Sequence, residues 1–484
     1  MRLVGIDIGT QSLKAVVTDA GLAPLGAGAA RYRASYPAAG RAEQDPGLWL
    51  AALGPAIAAA LRAAGVSARE VGAVGIAGQL DGCVGVTAAG EPVGPAILWS
   101  DRRAEAEVAG IDAGLVHARA GLVCDPTHMG AKIRWAMRHL DRAGEVARWH
   151  QPVSFVVERL TGAAVMDPSL ASTTMLYGLA AGDWDDALLA AFGVARASLP
   201  AIAPAGTAAG RLTAAGAELT GLPAGVPVAV GTGDDFANPL GAGIAAPGTV
   251  AVTLGTGEAI SALADRAVLD PERLVETHAY PTGHFNIGNP GWLSGGAVTW
   301  FLATFSVADA GAFSRLAAEA PAGCDGLLFL PALSGAMAPR WIPAARAGFV
   351  GATAAHGKAH FARAVLEGTS HAMRDVIDRL AALGVDVGRV RVMGGGAASG
   401  VWRQIRADLL GRPVEALAEA DASATGAAVL AAVAVGAAGS VAEACGRLRL
   451  AVRVIEPQAA ARAAQEDAYG RYRELFEALA PTFR

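Results

Sequence analysis

Twice along the chain an apolar strand runs into a glycine-threonine turn and emerges into a second β-rich run. Leu3 to Asp7 leads through Ile8-Gly9-Thr10-Gln11-Ser12 into Lys14 to Asp19, and Thr249 to Leu254 leads through Gly255-Thr256-Gly257 into the segment after Glu258. Two short β runs joined by a polar, glycine-containing turn read as a hairpin. Such a turn offers backbone N–H groups and hydroxyls of the kind that hold phosphate. A second echo goes with the first: Val71 to Ala77 ends at Gly78, and Val390 to Met393 ends at Gly394-Gly395-Gly396. Repetition at half the chain length implies a duplicated architecture. Length agrees, because 484 residues exceed the ~250 to 300 at which one hydrophobic core stops growing, and two domains are expected.

Between the copies, the apolar run Val226 to Val230 ends in Gly231-Thr232-Gly233-Asp234-Asp235-Phe236-Ala237-Asn238. The two carboxylates read in two ways. They are ordinary turn formers, for which Asp is suited by its own hydrogen bonding, or they are charge presented to a cleft beside glycines that let another group approach. The surrounding elements are plainer. Asp45-Pro46 caps and starts a helix whose apolar residues Leu48, Ala51, Leu53, Ile57 and Leu61 carry it to Gly65. Pro95 to Arg103 reads as a strand ending in charge, followed by a mostly helical stretch to about Leu160. Leu199 to Gly206, with Pro200 and Pro204, reads as a surface connection. Lys358 to Leu383 reads as a long amphipathic helix stopped by Gly384.

Composition excludes several classes of function. Hydrophobic content of 53% with 17% charged residues describes a folded, well-buried protein. A net charge of -5 and the lack of a Lys/Arg run argue against nucleic acid. Cys83, Cys124, Cys324 and Cys445 are too scattered for a zinc site or a disulfide framework, which fits a reducing cytoplasm. Asp7 interrupts the first apolar stretch, so no signal peptide is expected there. The window Ala422 to Ala438 is short and made largely of Ala and Gly, below the ~20 strongly apolar residues of a spanning helix.

Taken in order, these segments resemble the FGGY family of carbohydrate kinases, and within it the xylulokinases. The resemblance rests on Gly5-Ile6-Asp7-Ile8-Gly9-Thr10, Glu43-Gln44-Asp45-Pro46 with Trp49, Gly75-Ile76-Ala77-Gly78-Gln79 and Ile97 to Arg103. In the second half it rests on Gly233-Asp234, Leu254-Gly255-Thr256, Phe329-Leu330-Pro331 with Ser334-Gly335, Arg363 to Gly368, and Gly394-Gly395-Gly396 through Gln404 to Asp408. It implies an actin-like ATPase fold, ribonuclease H-like, of two duplicated α/β domains around a central cleft. Residues 1–241 would carry the sugar and the first phosphate turn, and residues 242–484 the nucleotide.

The resemblance also implies roles. Asp234 matches the catalytic base, and Asp7, with Asp234, the carboxylates near Mg²⁺. Gln79, Leu80, Asp81 and Trp99, with Asp234 and Asp235, match the sugar site. Thr10, Gln11 and Ser12, then Gly255, Thr256 and Gly257, match the phosphate turns of ATP, while Gly295, Gly296, Gly395, Gly396 and Ser399 match positions around the adenosine. The expected partners are a small sugar or polyol and a second copy of the chain, without nucleic acid or membrane.

Departures from the xylulokinase pattern bear on the acceptor. Leu80-Asp81 stands where xylulokinases have Met-His, Asp235 where they often have Asn, Gly335-Ala336-Met337-Ala338-Pro339 where Gly-Glu-Arg-Thr-Pro is frequent, and Pro152-Val153-Ser154-Phe155 where Pro-Lys-Asp-Tyr is. The Arg-Glu pair that glycerol kinases carry after the corresponding Gln is absent. D-xylulose is therefore the first acceptor to expect, ahead of glycerol. Another ketose or a pentitol is the alternative within the class, and a non-kinase ATP-binding protein or an actin-type filament the alternatives outside it.

Overall fold

A computed structural model describes residues 1–417 and 421–483. The chain opens with β1 (Arg2–Ile8) and β2 (Ser12–Asp19), an antiparallel pair, followed by β3 (Pro24–Arg31) beside β2. Helix α1 (Pro46–Ala64) starts where the side chain of Asp45 accepts from the N–H of Gly47 and stops at a left-handed Gly65. Trp49, Leu53 and Ile57 are buried on its inner face, which covers β2 and β3. By length and composition α1, not the Ala422–Ala438 window, is the stretch that meets the requirements of a membrane span. Here it serves as the covering helix of a sheet.

Strand β4 (Val71–Gly78) lies parallel to β1. After helix α2 (Met129–His139), β5 (Ala208–Arg211), β6 (Pro227–Ala229) and β7 (Thr232–Gly233) complete a seven-stranded sheet in the order β5-β6-β4-β1-β2-β3, with β7 paired to β4. Helix α3 (Asp234–Gly241) leaves β7 directly.

The second half repeats the plan. β8 (Thr249–Leu254) pairs antiparallel with β9 (Glu258–Ala264) across the second Gly-Thr turn. Then come β10 (Glu276–Ala279), β11 (Phe285–Pro290), α4 (Ser294–Thr304), α5 (Lys358–Ala382), β12 (Arg389–Met393), α6 (Gly400–Leu410), β13 (Val414–Leu417), α7 (Ala422–Ala434) and β14 (Val452–Ile455). The strand order is β10-β11-β9-β8-β12-β13-β14, with β12 parallel to β8. In both sheets the strand before the turn is antiparallel to the strand after it and parallel to the strand that ends in glycine. The echo read from the sequence is thus a repeat of topology.

The halves are joined by packing at α7, which lies across β1 and β4 of the first sheet and against α3. A Cβ on Gly5 would stand 1.8 Å from the Ala424 carbonyl oxygen, and one on Gly75 1.8 Å from that of Ala427. Only glycine permits this approach. Buried Leu3, Ala73, Phe236 and Leu240 of the first half and Val429, Leu430 and Ala431 of α7 share one apolar cluster, between the separate cores of the two sheets.

Two stretches differ from their expected form. Pro95 to Arg103 holds only a two-residue strand, Ala96–Ile97. Beyond it the Asp101 carboxylate takes the Ala42 N–H at 2.6 Å and the Arg103 guanidinium at 2.7 Å, which turns the chain instead of extending it. Leu199 to Gly206 is more than a surface connection, because Ala201–Ile202 pairs with Val165–Met166 and both Leu199 and Ala205 are buried. All four cysteines are free thiols.

Candidate active site

The central carboxylates sit at the start of a helix. Gly233 is the N-cap of α3 and Asp234 and Asp235 are its first residues, where negative charge is favoured by the unsatisfied N–H groups. The Asp235 N–H donates to Asp234 Oδ1 at 3.0 Å. Both residues are half-buried. Burial first, then the charges of Asp235 and Asp7, push the Asp234 carboxyl well above the usual carboxylate range. Burial and the charge of Asp81 bring Asp235 up to about 6. Asp7, Asp81, Asp234 and Asp235 therefore feel one another across a single site, although they come from β1, the loop after β4, and α3.

Asp7, on β1, is raised chiefly by burial. Its Oδ1 is buried beside the Ser423 Oγ of α7, whose nearness lowers the carboxyl in part, although the two do not meet in hydrogen-bond geometry. A buried carboxylate oxygen left unsatisfied costs free energy unless something binds it. No cluster of three or more metal-ligating side chains occurs among the described residues. That donor set fits Mg²⁺, which takes one or two carboxylates and fills its remaining positions with water and substrate phosphate.

The loop after β4 is held with unusual care. Asp81 has a φ of +57°, uncommon for a residue other than glycine and a sign of local constraint. Its N–H donates to Gln151 Oε1 at 2.7 Å and its carbonyl accepts from Lys132 Nζ at 2.7 Å. Lys132, on α2, gives its other bonds to the carbonyls of Trp99 and Thr127, and burial lowers it to about 8. Gln151 is fixed by bonds to the Leu170 carbonyl and Thr173 Oγ1. The Asp81 side chain faces His128, with Oδ1 to Nδ1 at 3.4 Å, and His128 Nε2 faces Glu276 Oε1 of β10 at 3.3 Å. Burial would lower His128, but the two carboxylates outweigh it and raise it well above its ordinary value, so the ring is an imidazolium linking the two halves.

Gln79 is buried with its amide N–H on Gln44 Oε1 at 3.3 Å, and that oxygen also accepts from Trp49 Nε1. Leu80 leans over Gly233, 3.1 Å from where a Cβ would lie. Trp99 leaves 44% of its surface open and donates its Nε1–H to Thr10 Oγ1 at 3.1 Å. The first Gly-Thr turn thus touches Trp99. Its own shape comes from Gly9 N–H to the Ser12 carbonyl, and from Tyr32 and Gln44 holding the carbonyls of Gly9 and Thr10.

The second turn gathers the remaining glycines. A Cβ on Gly295 would lie 2.1 Å from the Gly255 carbonyl oxygen, and the Gly296 N–H donates to the Thr256 carbonyl at 2.9 Å. The N-terminus of α4 is therefore pressed onto Gly255–Gly257. Gly396 packs on Leu254 and Trp402, and Ser399 caps α6 while its Oγ meets Ser314 Oγ at 3.0 Å. Beneath them, fully buried Arg406 donates to Glu258 Oε1 at 2.7 Å, and Ser294 donates to the other oxygen of Glu258.

Comparison with known proteins gives this arrangement a family. Residues 2–241 match the N-terminal domain of the FGGY family of carbohydrate kinases, and residues 250–435 its C-terminal domain. The chain belongs to the FGGY family of carbohydrate kinases. Among relatives of this FGGY kinase, the glycerol kinase of Bordetella parapertussis is 33% identical over 456 residues, 90% of this chain and 89% of the relative. The xylulose kinase of Escherichia coli K12 is 30% identical over 486 residues, 99% of each chain. The crystal structure of a xyloylose kinase from Brucella ovis superposes with a TM-score of 0.92 at 29% identity, covering all of both chains. The fold is that of the FGGY kinases, two duplicated α/β units of the actin-like ATPase type.

Of the residues expected at the acceptor of this FGGY kinase, Leu80 packs on Gly233 beside Asp234 and Asp235, Asp7 and Asp81 act on that pair through their charges, and Gln79 and Trp99 bond to Gln44 and Thr10. Thr10 joins them through Trp99. The other nucleotide candidates, Gly255 to Gly257, Gly295, Gly296, Gly395, Gly396 and Ser399, gather around the ends of β8 and β12. His128, Lys132, Gln151 and Glu276 are additions from the structure. Their sequence surroundings carry no glycine-rich or paired-carboxylate signal, and only tertiary contact reveals them.

Proposed function

We propose that the chain transfers the γ-phosphoryl group of ATP to a terminal hydroxyl of a small polyhydroxylated acceptor, with residues 1–241 presenting the acceptor and residues 242–484 the nucleotide. The observation that carries this reading is a half-open carboxylate, Asp234, whose affinity for a proton is raised by burial and by its acidic neighbours. Such a group is a competent general base. It takes the proton of the acceptor hydroxyl as that oxygen bonds to the γ-phosphorus and the bond to the β-phosphate oxygen breaks, releasing ADP. Asp7 would hold Mg²⁺, which supplies charge neutralisation at the phosphates. Thr10, Gln11, Ser12 and Gly255 to Gly257 supply hydroxyls and N–H groups to phosphate oxygens, and the open face of Trp99 gives the carbon chain of the acceptor an apolar wall. Positioning of the two reactants accounts for much of the rate.

D-xylulose and glycerol are the acceptors that the two relatives' names supply, and both end in a primary hydroxyl beside a secondary one. The test is a coupled ADP-release assay across glycerol, pentitols, pentuloses and hexuloses, with products identified by mass spectrometry. One phosphorylated acceptor per ADP is expected. ATP turnover that no acceptor stimulates would instead make the chain a non-kinase ATPase of the same fold.

A further inference from the structure

One buried carboxylate ties together three pieces of the second half that gather the nucleotide candidates. Glu258 closes the second Gly-Thr turn, opposite Leu254 in the register of β8 and β9. Its Oε1 accepts from Arg406 Nη1 at 2.7 Å and its Oε2 from Ser294 Oγ, while its N–H donates to the Trp292 carbonyl at 2.9 Å. Ser294 opens α4, directly before Gly295 and Gly296, which press on Gly255 and Thr256. Arg406 lies on α6 with its guanidinium over the Trp402 ring, 5.1 Å from the centroid. Gly396 packs on the same ring, where a Cβ would stand 3.0 Å from Trp402 Cζ3. The carboxylate therefore fixes the turn, the start of α4 and, through Trp402, the glycine loop before α6 relative to one another.

Stability does not require this arrangement. Burying a carboxylate and a guanidinium costs desolvation that their attraction offsets only when the remaining polar atoms are also satisfied. Nε and Nη2 of Arg406 are buried and meet no acceptor among the described residues, and an apolar set of similar volume would hold the fold as well. What an apolar set lacks is direction. A carboxylate bonded at both oxygens sets the spacing and orientation of the groups that bond it, and a misplacement of about 1 Å, even from a change far from the chemistry, can cost ~10²-fold in rate.

We infer that Glu258 is a positioning residue for the nucleotide, and that with Arg406 and Ser294 it sets the separation of the second Gly-Thr turn, the start of α4 and the Gly394–Gly396 loop that ATP requires. The inference rests on the kinase reading above. All three side chains are buried, so they act through the glycine backbone they hold and not by contact with ATP.

The experiment replaces the whole network at once, Glu258→Met with Ser294→Ala and Arg406→Met, so that no charge is left buried alone. Parent and variant are compared by ATP titration calorimetry, by denaturant titration without nucleotide, and by KM for ATP and for the acceptor that the ADP-release assay selects. The denaturation midpoint should stay near that of the parent, ATP affinity should fall about 10-fold or more, and KM for the acceptor should not change. ATP affinity equal to the parent's overturns the inference and leaves the kinase reading intact, whatever the midpoint does. A loss shared equally by ATP and acceptor marks general loosening and overturns it too. If the triple variant does not fold, Ser294→Ala alone, which keeps the ion pair, carries the same test: weaker ATP binding at unchanged acceptor KM is expected, and unchanged ATP binding is the overturning result. A parent that neither binds ATP nor phosphorylates an acceptor ends the kinase reading and the inference together.

Discussion

At the scale of single residues, the chemistry turns on how Asp234 is tuned. As a base it works only when ionised, so kcat/KM falls as pH drops through its raised pKa. Burial is the largest cause of that rise and the Asp235 charge the next. Asp235→Asn should therefore move the acid limb of the kcat/KM profile to lower pH, measured for each enzyme with its best acceptor. An unmoved limb would mean that Asp235 does not act on the base. Asp81, Asp234 and Asp235 were legible in the sequence because each follows a strand that ends in glycine. Their settings were not. Asp81 owes its geometry to Gln151, 70 positions away, and its charge balance to Glu276 through His128. No local pattern encodes such pairings, and Asp234 itself reads as a turn residue until α3 is seen to begin there.

At the scale of elements, the seat of α7 on β1 and β4 is the contact with least tolerance. The nearest neighbours of a Cβ at Gly75 are backbone atoms, which no rotamer change can clear. Gly75→Ala should cost about 3 kcal/mol or more, read as a lowered denaturation midpoint. Gly144→Ala, with nothing within 4 Å of its Cβ, should stay within about 0.5 kcal/mol of the parent. Helix α1 shows what sequence does convey: an Asp-Pro start and a Gly stop are local chemistry, and the helix keeps to them. The segment Pro95 to Arg103 shows the limit. Its residues suit a strand, but few of them find a partner strand, and the buried Asp101 carboxylate bends the rest. The Gly-Thr turns were legible as a pair because their repetition is itself a sequence property, whereas the role of Gly5 and Gly75 depends on a helix more than 340 residues away.

At the scale of the whole molecule, the two halves meet beside the loop after β4 through Asp81, His128 and Glu276. His128 carries a pKa raised well above the ordinary 6.5, so its stabilisation is complete below that value and is lost as pH rises through the folded pKa. Glu276→Gln keeps an acceptor for the Val123 N–H but removes the charge. The variant should be less stable by about 3 kcal/mol at pH 6, with the gap closing at high pH. Denaturant titrations at both pH values measure it, and a gap independent of pH would remove the imidazolium from the account. The central claim is a division of labour, with the base on one half and the nucleotide on the other. It is tested most directly by Asp234→Asn, assayed for acceptor phosphorylation and titrated with ATP by calorimetry. The expected result is a kcat about 10² to 10⁴ lower with ATP affinity little changed. Near-normal turnover in that variant would contradict it.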